Sequence, residues 1–196
     1  MNINKFTQKS LEAVQKCEKL AYEYGNQQIE QEHLLYSLLT VEDSLILKLI
    51  TKMNVQKEQF LNEAAQAIEK LPKVSGGQLY ISNDLNKVLI SAEDEAKAMG
   101  DEYVSVEHLF LAMLKQPSRM VKELFRSYGI TRENFLQALS TVRGNQRVVS
   151  DNPEATYDTL EKNGYVMVER ARDQKLDPVT GSDSKNRNAD RLLSHK

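Results

Sequence analysis

A single cysteine, Cys17, stands in a chain of 196 residues that has no tryptophan, four prolines and eight glycines. One thiol makes no internal disulfide, so nothing asks for an oxidising compartment and a cytoplasmic protein is expected. No run of 18 apolar residues is present to cross a membrane, so no membrane partner is expected. The opening MNINKFTQKS lacks the apolar core of a secretory signal. Net charge is −2, and without a clustered basic excess a nucleic-acid footprint is excluded. The three histidines and the cysteine never fall at ligand spacing, so no metal site is expected. No G-x-x-x-x-G-K-[ST] occurs, so the backbone cradle and lysine that hold ATP phosphates are missing and no cofactor is expected. No nucleophile–base set can be assembled either, and the chain does not read as an enzyme.

What the chain does have is a repeat. GNQQIEQEHLL at Gly25 to Leu35 returns as GDEYVSVEHLF at Gly100 to Phe110, each position 75 residues on. Phe60 and Leu61 keep the same step with Phe135 and Leu136. Between the repeated motifs, apolar residues recur at threes and fours, the helical period. Phe6, Ala13, Cys17, Leu20 and Tyr24 predict a first helix from about Asn4 to Tyr24, ended by Gly25 in the left-handed conformation. Leu34, Leu35, Leu38 and Leu39 mark a second, Leu45 to Ile50 a third and Phe60 to Ile68 a fourth, stopped by Pro72. Lys73 to Ser82, with Gly76-Gly77, links the repeats. Ser82, Ser105 and Thr131 are placed to cap helices of the second half, and Pro117 separates another. The expected fold is all-α, an eight-helix bundle of two four-helix repeats, about 4–72 and 80–145, related by a pseudo-twofold axis. A four-helix unit alone would expose apolar surface, so the halves should pack together.

The domain is therefore 1–145. Residues 146–156 are polar, contain Asn-Pro and predict a linker on which the domain swings. Residues 157–196 hold too few apolar side chains for a core of their own.

EQEHLLYSLL and SVEHLFLAML in register resemble the Clp N-terminal repeat domain, over about the first 145 residues. Tyr157 to Gly181, with LDPV at Leu176 to Val179, resembles the entry into the first nucleotide-binding domain of ClpB-type disaggregases, rather than of their ClpC and ClpA relatives. Family members follow LDPV with an Ile-Gly-Arg-Asp type of sequence and then a phosphate loop. Here Thr180-Gly181-Ser182-Asp183 follows instead. The expectation is that 157–196 is a truncated, non-functional start of the AAA+ domain. The resemblance implies a substrate-binding module of an ATP-dependent chaperone of the stress response, whose partners are unfolded or aggregated polypeptides. An adaptor protein is a second partner class. Full-length members form hexamers, and this fragment is expected to be a monomer.

His33 and His108 read as helix-start histidines that hydrogen-bond locally, and Cys17 as a small core residue. Glu32 and Glu107 have two readings. Each is a partner for the positive end of a helix, worth roughly 0.3–1 kcal/mol, or a carboxylate offered to a guanidinium. The resemblance implies a client site at Thr7, Asp101 and Glu107, which match positions implicated in ClpB-like domains. In ClpC-like relatives the paired glutamates bind phosphoarginine, which would imply Glu32 and Glu107. Leu79, Tyr80 and Ile81 form an apolar run that either covers the seam between the halves or walls a client groove.

Overall fold

The computed structural model describes residues 2–154 and Tyr157. Among them are eight α-helices in two sets of four. The first set is α1 (Gln8–Glu23), α2 (Gln31–Thr40), α3 (Leu45–Lys52) and α4 (Lys57–Glu69). The second is α5 (Asn83–Ala98), α6 (Val106–Lys115), α7 (Arg119–Ser127) and α8 (Arg132–Arg143). The starts of α1, α2 and α4 and those of α5, α6 and α8 keep the 75-residue step, so the repeat in sequence is a repeat in structure.

Ser82, Ser44 and Thr131 each accept a backbone N–H of the first turn they open. The first helix begins four residues later than its periodicity predicts. Thr7 accepts the Ser10 N–H and sets the start at Gln8, while Phe6 leaves the helix to pair with Val104 in an isolated parallel bridge. Its counterpart 75 residues on, Ile81, belongs to β2 (Tyr80–Ile81), which pairs in parallel with β1 (Gln28–Ile29). The segment ahead of each repeat's first helix is thus stitched to the other repeat. These pairings carry no periodicity, being one and two residues long, and were not expected.

At the centre lie α2 and α6, each with eight of ten residues buried. Helices apolar on nearly every side belong inside. α3 packs on α6 and α8, and α4 on α7, so the halves share one core. Phe60 meets Tyr128 edge-on at 4.9 Å across the seam, and the Tyr128 hydroxyl donates to Glu63 at 2.6 Å. Gln31 pins the same seam, donating to the Asp84 and Gln116 carbonyls and accepting the Ser118 N–H. Of the residues that share the repeat's step beside Phe60 and Phe135, Leu61 is partly covered and Leu136 is exposed.

The expected linker is built differently from an open tether. Beyond Gly144, the chain folds back over the second repeat, burying Val148, Glu154 and Tyr157. Its polar composition hides this because its hold on the domain is mainly through hydrogen bonds rather than an apolar stripe. The expectations for 155–156 and 158–196 lie outside the described residues.

Candidate functional site

The repeated glycine, acidic residue and histidine form one device. Gly25 and Gly100 sit just past the last turns of α1 and α5 with φ of 74° and 72°, a conformation that favours glycine. Gly25 and Asn26 donate their N–H groups to the carbonyls of Tyr22 and Ala21, and Gly100 and Asp101 to those of Lys97 and Ala96. This is the Schellman closure of a helix. It aims the next side chain, Asn26 or Asp101, at the histidine in the first turn of the following helix. His33 Nε2 lies 2.9 Å from Asn26 Oδ1, and His108 Nε2 lies 2.6 Å from Asp101 Oδ2. In each case Nδ1 accepts the N–H of the residue that caps the helix, Glu30 or Ser105, at 2.9 Å. An Nδ1 that accepts a proton donor carries no proton, so both imidazoles are neutral and Nε2 donates. For His33, burial holds the pKa down at about 4. The histidines are corner pieces, as their spacing implied.

Thr7, Asp101 and Glu107 do come together, but beneath the surface. Thr7 and Glu107 are fully buried, and Asp101 nearly so. Arg143, at the end of α8, donates to Glu107 Oε2 at 3.1 Å and makes a short contact with Asp101 Oδ1. Asp101 also accepts the Val148 N–H. The His108, Val148 and Arg143 partners hold its carboxyl below the usual range despite burial. Glu154 then closes the group: its Oε2 accepts from the Thr7 hydroxyl at 3.1 Å and the Val106 N–H at 3.2 Å. Burial and the nearby Glu107 push the Glu154 carboxyl up to about 8. Tyr157, raised by burial and by Glu107, completes the lid. Three carboxyl groups against one guanidinium leave an excess of negative charge, which the protonated form of Glu154 relieves.

Glu32 occupies the position in α2 that Glu107 occupies in α6, yet its surroundings differ. The counterpart of Arg143 is Ile68, fully buried, and that of Asp101 is the neutral Asn26. Glu32 is 7% exposed, and burial, with Glu30 and Asp84 nearby, raises its pKa to about 7. Leu79 packs against the core, whereas Tyr80 and Ile81 are 50% and 40% exposed. Their strand leads into the start of α5 and pairs with the β1 segment that leads into α2. The apolar run therefore lies toward the α2 start, and Thr7, Asp101 and Glu107 at the α6 start, two places related by the repeat.

Sequence reasoning missed Arg143, Glu154, Tyr157 and Asn26. A signal existed for two of them. Arg143 falls in register with an apolar Ile68, and Asn26 directly follows the repeated glycine. Glu154 had none.

A group of three or more His, Cys, Asp or Glu able to hold a metal is absent among the described residues. Among them, too, no helix is long and apolar enough to cross a membrane. Cys17 is buried, with its thiol pushed up to about 12 by burial, and is chemically quiet.

The model of the Clp repeat N-terminal domain matches residues 5–128. The chain is 42% identical over 201 residues to the chaperone protein ClpB of Bacillus cereus and 40% identical over 196 residues to that of Porphyromonas gingivalis, covering all of this chain in both. It spans 23% of the length of each of those relatives. In structure it is similar to the N-terminal domain of Hsp104 from Candida albicans, with a TM-score of 0.69 and 21% identity, over 76% of this chain and 99% of that one. It is also similar to a ClpV N-domain solved in complex with a VipB peptide, with a TM-score of 0.59 and 22% identity, over 70% of this chain and 86% of that one. At these identities the two structures speak for the fold.

Proposed function

This chain belongs to the Clp repeat N-terminal domain family, and from that premise we propose that it is a non-catalytic polypeptide-binding module, which catches unfolded or aggregated protein and hands it to an ATP-driven ring of the ClpB type. The observation that carries this reading is the exposure of Tyr80 and Ile81 on a pinned backbone. The N–H groups of Tyr80 and Ser82 donate to the Gln27 and Ile29 carbonyls, so two large apolar side chains are held facing water on an ordered strand. Exposed apolar surface held rigid recruits apolar segments at little ordering cost on its own side. The client pays its own ordering entropy, so affinity is modest.

The test is a titration with an unfolded model protein. Replacing both residues, Tyr80→Ser with Ile81→Ser, weakens binding by roughly tenfold, the equivalent of about 1.4 kcal/mol, while helicity stays unchanged. An unaltered Kd would sink the reading.

A second reading rests on Glu32. Its carboxylate stands without the guanidinium that Glu107 has in Arg143, so this end of the molecule suits an adaptor or a phosphoarginine mark that brings its own guanidinium. Displacement by free phosphoarginine, abolished in Glu32→Gln, separates it from general client capture.

A further inference from the structure

The segment after α8 does more than cover the second repeat. It satisfies donors that would otherwise face solvent. The Asp151 carbonyl accepts the N–H of Gln8, first residue of α1, at 2.7 Å. The Glu154 carboxyl accepts the N–H of Val106, first residue of α6. Between them, the Glu102 N–H donates to the Val148 carbonyl at 2.8 Å. Helix N-termini leave such N–H groups without partners of their own. The result is a track of backbone donors, with Thr7 Oγ1 at one end and Asp101 as its acceptor, along which residues 146–152 lie without regular secondary structure before the chain turns helical at Pro153 and Glu154.

The fit is imperfect in one respect. Among the described residues, Glu107 Oε1, Glu154 Oε1 and the Tyr157 hydroxyl are all buried without a hydrogen-bond partner. Unpartnered buried polar atoms weigh against the docked state. A carboxamide at the position of Glu154 would do better, since its oxygen keeps the Thr7 and Val106 bonds while its NH2 can donate toward Glu107. The track therefore prefers an uncharged acceptor that also donates, and the residue this chain supplies has to take up a proton to become one. The first repeat has no equal of this clasp, because Leu79 stands where Glu154 stands in the second.

We propose that residues 146–154 are a built-in, displaceable occupant of this track, and that a client segment presenting a Gln or a protonated Glu to Thr7 and Val106 takes the same place in competition with them. The inference rests on the client reading of Thr7, Asp101 and Glu107 and supplies what that reading lacks, since in the docked state those residues have no exposed face. It names the ligand class as unfolded polypeptide carrying such a side chain and the regulation as self-occupancy.

The experiment uses the whole chain in three forms. Glu154→Gln tightens the strap, and Val148→Asp expels it by setting a carboxylate against Asp101. Val148→Ser is a second, milder opener should the aspartate disturb the core. Strap docking is read by hydrogen exchange at the Gln8 and Glu102 amides, and folding by the amides of α2 and α6. The openers should lose protection at the amides the strap holds, Gln8, Glu102 and Val106, and at the strap's own Val148, with the rest of α2 and α6 unchanged, and bind an unfolded model protein roughly tenfold more tightly, the weight of about one hydrogen bond. Glu154→Gln should do the reverse. A synthetic peptide of Gln146 to Tyr157 should compete with the client for the opened chain. Loss of protection with no change in client affinity overturns the inference and the client role of Thr7, Asp101 and Glu107, and leaves client capture at Tyr80 and Ile81 standing. Client binding absent from every form overturns both. Protection unmoved by either opener shows that the strap is a fixed part of the core, and the inference fails.

Discussion

Glu32 and Glu107 began as equals and end as different residues. Both sit in the first turn of a central helix, and both are covered. What separates them is a single partner: Arg143 for one, Ile68 in its place for the other. A buried carboxylate without a guanidinium beside it bears the cost of desolvation in full when charged. The Glu32 pKa rises from 4.5 to about 7. In sign, a raised folded-state pKa gives a contribution fully present below about 4.5 and lost as pH climbs through about 7. Glu32→Gln removes that loss. It also forfeits the attraction to the helix end, about 0.3–1 kcal/mol. The desolvation effect is the larger, so the variant should be about 1–3 kcal/mol more stable than the parent at pH 8. At pH 4 the advantage should vanish. Thermal melts at the two values decide it, and a variant less stable at pH 8 would mean that Glu32 has a partner in solution.

The strap is the element whose behaviour depends most on pH. Glu154 faces Thr7 ahead of α1, the Val106 N–H and Glu107 on α6, and Tyr157. Asp101 and Arg143 complete the group, with His108 held neutral by its two hydrogen bonds. Docking raises the Glu154 pKa from 4.5 to about 8, so the docked strap holds a proton that the free strap gives up. Its docking is therefore strongest below about 4.5 and weakens as pH rises through about 8. Limited proteolysis reads this with an internal reference. Residues 73–78 are exposed throughout and include Gly76-Gly77. At pH 6 a non-specific protease should cut there before it cuts 146–152. At pH 9 the rate at 146–152 should rise relative to 75–78, and in Glu154→Gln it should not. A ratio that is flat with pH in the parent would remove Glu154 from control of the strap. Affinity for a client would then also be independent of strap protonation.

At the scale of the whole molecule, the two repeats are one cooperative unit. Gln31 makes three hydrogen bonds across the seam, and α3 and α4 pack on helices of the other half. Gln31→Ala leaves the Ser118 N–H and two carbonyls without those partners. It should cost about 1–3 kcal/mol, within a single unfolding transition. Two separated transitions in calorimetry would mean that the halves fold apart. Much of this architecture was legible beforehand, for reasons that can be named. Schellman glycines, capping hydroxyls and threes-and-fours periodicity act within a few residues, so Gly25, Gly100, Ser82 and the apolar stripes announce helices and their ends locally. A constant 75-residue step then announces the pseudo-twofold plan. Thr7, Asp101 and Glu107 were singled out only through family resemblance, and their burial was not legible at all. Thr7 and Glu154 stand 147 positions apart, and no spacing rule links a hydroxyl before one helix to a carboxyl after another. The composition of 146–156 is that of a tether, yet its backbone carbonyls and one carboxyl find donors that the packed helices leave open. The chain's local chemistry determined which helices form, where they stop and that they come in two sets of four. Only tertiary packing decided that Arg143 is spent on Glu107 and Asp101, that Glu32 has no such partner, and that the strap lies over Thr7, because each depends on which unsatisfied groups meet once the helices are in place.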